Sequence, residues 1–96
     1  MQVSFHRLAE RELNEAARYY KLHSPKLGVA FLGEVERSAQ AIVQYPKAGQ
    51  RVLGSVRRRL LWRFPYALLY TVRPEMIRIL AVMNLKRRPM YWIGRS

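Results

Sequence analysis

The chain contains no cysteine and no aspartate. The first absence excludes disulfides and thiolate metal sites. The second removes the usual third member of a Ser-His-Asp set and leaves a glutamate variant as the only formal option. Both histidines, His6 and His23, lie in the N-terminal quarter, one at a strand end and one between helices, where a structural or exposed role is expected. Glutamates are few, six in 96 residues, and the second half of the chain holds only Glu75. No carboxylate cluster exists there to hold magnesium or zinc, so neither metal nor cofactor is expected. Long hydrophobic runs are also missing. A stretch such as Ala67 to Tyr70 is far too short to cross a bilayer, and Arg7, Arg11 and Arg18 interrupt the N-terminal segment where a secretory signal would need apolar residues. The expectation is a single domain over residues 1–96, cytoplasmic and without membrane contact.

Arginine and lysine are abundant. Eighteen bases give a formal net charge of +12. Residues 1–45 hold six bases and five acids, whereas residues 46–96 hold twelve bases against Glu75 alone. One end of the molecule therefore presents a positive surface, suited to phosphate backbones or to an acidic protein partner. Half the residues are hydrophobic, so the chain can bury a core.

Hydrophobic periodicity divides the chain in two. Val3-Ser4-Phe5 alternates and predicts a short first strand. Ala9, Leu13, Ala16, Ala17 and Tyr20 recur at helical spacing and predict a helix over 7–22. Ser24-Pro25 reads as an N-cap and first-turn proline of a second helix. Its apolar stripe is Phe31, Leu32, Val35, Ala39, Ile42 and Val43, and it stops near Tyr45-Pro46. From Val56 onward, β-branched and aromatic residues predict three strands, over 55–63, 66–73 and 75–84. Arg73-Pro74-Glu75 forms a tight turn, and Met76 to Val82 an internal strand. The fold expected is α+β, β-α-α-β-β-β, with a helical hairpin packed on a mostly antiparallel sheet.

Two clusters stand out. Alternation along 55–63 places Arg57, Arg59 and Arg63 on one strand face and Val56, Arg58, Leu60, Trp62 and Phe64 on the other. Such a row fits phosphate or carboxylate contacts, or equally a solvated face that discourages edge pairing. Lys86-Arg87-Arg88-Pro89-Met90-Tyr91-Trp92 interleaves bases with aromatics. It suits stacking on nucleotides, or the covering of a sheet by Tyr91 and Trp92, the latter reading being favoured for Trp92. Any catalysis here would rest on arginine and lysine stabilising charge while a tyrosine or glutamate moves protons, which fits RNA cleavage through the 2′-hydroxyl.

Along nearly its full length the chain resembles the RelE/ParE family of type II toxin–antitoxin toxins. The matching segments are Ala9-Glu10-Arg11-Glu12-Leu13 with Ala16-Ala17 and Tyr19-Tyr20, then Phe31-Leu32 with Glu34-Val35-Glu36-Arg37 and the Tyr45-Pro46 stop. The most specific run from Val56-Arg57-Arg58 through Arg63-Phe64-Pro65-Tyr66 to Tyr70, then Ile79-Leu80-Ala81-Val82 and Arg87-Arg88-Pro89 with Tyr91-Trp92. The resemblance implies a toxin neutralised by a cognate antitoxin in a hetero-oligomer. Phe64-Pro65-Tyr66 and Arg88-Pro89-Met90-Tyr91-Trp92 look ParE-like, which implies DNA gyrase as target and no catalysis. The alternative is a RelE-like, metal-independent nuclease acting on mRNA at the ribosome, with Arg57, Arg59, Lys86, Arg87 and Tyr91 as its catalytic set. A non-toxic antitoxin-binding relative is a second alternative. Many relatives carry a histidine after the last strand, where this chain has Asn84, which cannot shuttle protons. The residues expected to bind target or antitoxin are Arg57, Arg58, Arg59, Arg63, Lys86, Arg87, Arg88, Tyr91 and Trp92.

Overall fold

A computed structural model describes all 96 residues. Strand β1 (Gln2–Phe5) leads into helix α1 (Arg7–His23), and helix α2 (Pro25–Gln44) follows after Ser24 alone. Strands β2 (Gln50–Leu53), β3 (Val56–Leu60), β4 (Tyr66–Val72) and β5 (Met76–Asn84) complete a five-stranded sheet in the order β1-β5-β4-β3-β2. Only the β1–β5 pair is parallel. The expected α+β architecture is present, with β5 internal between β1 and β4 and with one strand more than expected.

That extra strand is β2. Gln50-Arg51-Val52-Leu53 is too polar and short to signal itself by alternation. Gly54, at φ +55°, opens the two-residue turn that folds it against β3. The single strand expected over 55–63 instead ends at Leu60. Glu34 of α2, itself buried, accepts the backbone N–H of Trp62 and, at 3.1 Å, that of Arg63. The Leu61 N–H bonds the Tyr66 carbonyl at 2.9 Å. This cap pulls the chain out of the sheet, burying Leu61 and Phe64 and leaving Trp62 90% exposed. Trp62 and Phe64 therefore do not share a face, and Arg63 belongs to an exposed turn and not to the row with Arg57 and Arg59.

Both helices pack on one face of the sheet. Ala9, Ala16, Phe31, Val35 and Ile42 meet Leu68, Tyr70, Ile77, Ile79 and Val82 from the strands. Each fully buried large side chain contributes about 1.5–3 kcal/mol. The helices approach closely because a Cβ on Gly28 would lie 2.9 Å from the Lys21 Cβ. Ser24 occupies the N-cap position of α2, but its side chain makes no capping bond; its carbonyl accepts the Leu27 N–H at 3.0 Å. The opposite face of the sheet carries Ala67, Leu69 and Ala81, and the C-terminal tail (residues 85–96) lays Trp92 over them.

His6 supplies the cap of α1: its Nδ1 accepts the Leu8 N–H at 3.0 Å. Partial burial, then the charges of Arg78, Arg95 and Arg7, hold the imidazole below its usual 6.5, against the opposing pull of Glu12. The unfolded chain thus takes up a proton near 6.5 that the folded chain refuses. Stability from this group is full above that pH and is lost as pH falls below it. His6→Asn keeps a capping acceptor and removes the titration. Urea midpoints of the variant should fall less than those of the parent between about pH 6.5 and 5, the range in which histidine titrates; parallel curves would disprove the assignment.

Candidate functional site

The basic half of the chain is distributed over both faces of the sheet, and the distribution decides what it can do. Arg57 pairs with Tyr70 and Arg59 with Leu68, so both project on the helix side of β3. Arg57 spends its guanidinium on the chain itself. Its Nη1 donates to the Lys47 carbonyl at 3.0 Å and to the Gly49 carbonyl at 2.8 Å, and Tyr70 fixes the same loop by donating to the Pro46 carbonyl at 2.8 Å. Arg59 is half-buried, with its Nε lacking a partner. Arg58, paired with Leu69, lies on the tail side and donates to Gln50 at 2.6 Å. Three consecutive arginines therefore serve two different surfaces.

The tail is held by one carboxylate. Glu12 of α1 accepts the Val82 N–H at 3.0 Å, the Tyr91 hydroxyl at 2.7 Å and both terminal nitrogens of Arg95, at 2.9 and 3.0 Å. Arg95 also donates to the Leu80 carbonyl at 3.0 Å. The location follows from strand lengths. Four-residue β1 ends at Phe5, opposite Ile79, while β5 runs on to Asn84 with an irregularity in its pairing around Leu80. Beyond Ile79 the outer edge of β5 has no strand beside it, and the Glu12–Arg95 pair takes up the Val82 donor and the Leu80 acceptor. Both side chains are mostly buried, at 14% and 11% exposure.

Tyr91 is enclosed by this arrangement. The Arg87 guanidinium carbon stands 4.0 Å from its ring centre and that of Arg95 5.1 Å, two cation–π contacts. Burial first, then the bond to Glu12, push its hydroxyl pKa well above the usual tyrosine value. Trp92 is 3% exposed and packs on the sheet. Lys86, Arg87 and Arg88 are exposed in the turns after β5. Asn84 closes that turn by accepting the Lys86 N–H at 2.9 Å. Of the five residues that a nuclease reading requires, Arg87 and Tyr91 are in contact, while Arg57 and Arg59 project from β3, Arg57 already bonded to its own loop, and Lys86 is in the exposed turn after β5.

Two apolar hollows remain open. One, about 320 Å³, lies between β1 and the helices, with Val3, Phe5, Leu13, Leu32, Val35 and Ala39 in its walls. The other, about 240 Å³, lies on the tail side with Leu69, Met83 and Trp92 among its lining, and Arg58 and Arg87 beside it. The second was not visible in the sequence, because it exists only once the tail folds back over the sheet. No group of three or more histidines, cysteines or acids is arranged to hold a metal ion, and no helix is long and apolar enough to cross a membrane.

A helical hairpin on one face of a five-stranded, mostly antiparallel sheet is the architecture of the RelE/ParE class of small α+β toxins. The chain belongs to the ParE family within it. The family model described as ParE toxin of type II toxin-antitoxin system, parDE, matches residues 3–89. A solved chain from the chromosomal ParDE TA system of P. aeruginosa superimposes with a TM-score of 0.75 at 20% identity, over 88% of this chain and 95% of that one. No curated protein matches.

The latch makes a measurable claim. Glu12→Gln keeps the shape but removes the charge that holds Arg95, and it should cost about 3 kcal/mol in urea unfolding, as for other broken buried pairs. In a Trp62→Phe background, which leaves Trp92 as sole tryptophan, emission should move to longer wavelength as the tail loosens. Unchanged emission together with unchanged stability would show that the tail does not depend on Glu12.

Proposed function

We propose that this ParE-family chain arrests growth by binding DNA gyrase without catalysing a reaction, and that a cognate antitoxin neutralises it. The observation that carries the non-enzymatic part is the state of Tyr91. Its hydroxyl is already donated to Glu12, its pKa is raised, and its ring is in contact with two guanidinium groups. A tyrosine in that setting is a poor proton donor and a poor base near neutral pH. The two guanidinium groups against its ring, Arg87 and Arg95, carry fixed charge and move no proton. Binding, by contrast, is what an exposed basic turn and an open apolar hollow are suited to.

The antitoxin is assigned to the other face. The hollow between β1 and the helices is apolar, and Leu32 stands 44% exposed beside it. That suits a segment of antitoxin that folds as it docks, the usual behaviour of short partner segments with an apolar stripe. The excess of positive charge at the other end attracts an acidic segment over longer range and speeds encounter. Lys86, Arg87, Arg88, Arg58 and Arg63 are the residues proposed to meet the partners. Arg57 and Arg59 support the sheet edge behind them, and Trp92 shapes the tail surface.

The decisive assay is gyrase supercoiling with purified chain, alone and with antitoxin in excess. Inhibition that the antitoxin reverses is the expected result. Normal supercoiling in the presence of folded chain refutes gyrase as target. Tyr91→Phe separates binding from catalysis. It should lower stability by about 1.5 kcal/mol, the value of a hydrogen bond to a charged group, and leave growth arrest intact at equal abundance. A large loss of arrest with the fold retained would instead favour a ribosome-dependent nuclease that uses the hydroxyl.

A further inference from the structure

We propose that the hollow on the tail side of the sheet is an anchor site for one aromatic or branched aliphatic side chain of an acidic segment, and that this segment belongs to the protein the toxin inhibits. The inference rests on the reading that the toxin acts by binding a protein target. The hollow is formed by two parts of the chain. Leu69 and Met83 supply its sheet side, and Val52 of the edge strand a wall. The returning tail adds Leu85, Met90 and Trp92. Its volume, about 240 Å³, exceeds the roughly 150 Å³ of an apolar cavity that accepts benzene. A phenyl ring or a leucine side chain therefore fits, and a whole helix does not.

Three features indicate that the site is meant to be filled from outside. First, the residues around it are more exposed than packing alone would leave them. Leu85 is 46% exposed, Met90 39%, and Leu60, which faces the same side of β3, 54%. Second, Met90 adopts φ +66°, a left-handed conformation that costs a non-glycine residue about 1–3 kcal/mol. Nothing in the core requires a methionine there. In that conformation it lines the hollow with the most adaptable of the apolar side chains. Third, the polar wall has one sign. Arg58 and Arg87 line the hollow, Lys86 and Arg88 follow in the same exposed turn, and no carboxylate is among the lining residues.

Those features specify the occupant's chemistry. An apolar anchor flanked by carboxylates satisfies the hollow and its arginines together, in the pattern by which a buried anchor and a charged rim divide affinity and approach rate between them. An anchor flanked by basic residues is repelled, and an acidic segment without an anchor leaves the hollow unfilled. The antitoxin is not the occupant assigned here, because the hollow between β1 and the helices is larger, apolar and on the opposite face of the sheet.

The test uses the intact chain, ¹⁵N-labelled, titrated with the synthetic pentapeptide glutamate–glutamate–phenylalanine–glutamate–glutamate and with its alanine-centred analogue. Amide shifts should concentrate at Leu85 and Met83 and at the Trp92 indole N–H. Losing the ring should weaken binding about tenfold. Leu85→Glu, at a half-exposed position, and Arg58→Glu should each abolish those shifts while the spectrum stays folded. Equal binding of both peptides, spread over all exposed arginines, overturns the anchor. In cells, Leu85→Glu should lose growth arrest yet bind antitoxin as the parent does. Loss of antitoxin binding would make the antitoxin the occupant and overturn the assignment to the target. These outcomes are separate from the gyrase question: a parent chain that takes the peptide in the hollow and arrests growth without inhibiting supercoiling refutes gyrase alone.

Discussion

Glu12 sits where helix, sheet edge and tail meet, and the tail face is organised by its carboxylate. It receives a backbone N–H from β5, a tyrosine hydroxyl and an arginine fork, so all of its acceptor capacity is engaged. Removing water from a carboxylate and a guanidinium is costly, and such a pair is justified energetically only when extra bonds complete it. Here the extra bonds go to the unpaired edge of β5. The short first strand and the buried ion pair are therefore one design. If β1 were longer, Val82 and Leu80 would bond a strand, and Tyr91 and Arg95 would have no reason to fold back.

Glu34 performs the corresponding task for β3. It terminates β3 by taking the Trp62 and Arg63 N–H groups, and so sends Phe64 into the aromatic cluster with Tyr20, Phe31 and Tyr66, whose ring centres lie 4.8–5.2 Å apart for the contacts of Tyr20 and Phe31 with Phe64 and of Phe31 with Tyr66. Two of only six carboxylates are thus buried as connectors to backbone groups. That use sharpens the charge asymmetry. Acids that could have neutralised the surface are turned inward, while Lys86, Arg87, Arg88 and Arg63 stay in water. Self-repulsion among these bases opposes compaction, and an acidic partner relieves it.

The helices were legible because their apolar stripes repeat over four or five turns, and the Arg73-Pro74-Glu75 turn because proline announces it. β2 was not, since four residues with two polar side chains carry no period; only the Gly54-Ser55 pair signalled a hairpin. The end of β3 was hidden for a different reason. It is set by Glu34, 28 residues away, and alternation along 55–63 cannot register a contact of that range. For the candidate site, composition located the basic half, and the packing of Trp92 was anticipated. What the sequence could not resolve was which arginines were already committed. Arg57 and Arg58 are adjacent and chemically alike, yet one bonds a loop on the helix side and the other rims a hollow on the tail side.

That division bears on how one small chain can serve two partners. A domain of this size has room for one core, and any interface must be built from what the core leaves over. The sheet supplies the solution because alternation gives it two faces of independent composition. The helix face ends in a mostly apolar hollow beside β1 with Glu36 in its wall, and the tail face in an apolar hollow walled by arginine. Substitutions on one face change little of the other, apart from those that reach Glu12, which connects them. A ligand that loosened the Glu12–Arg95 pair from the helix side would displace Tyr91 and Trp92 on the far side, and would do so without touching the basic surface itself. The tail surface can therefore be covered or dismantled, and the second route passes through a single carboxylate.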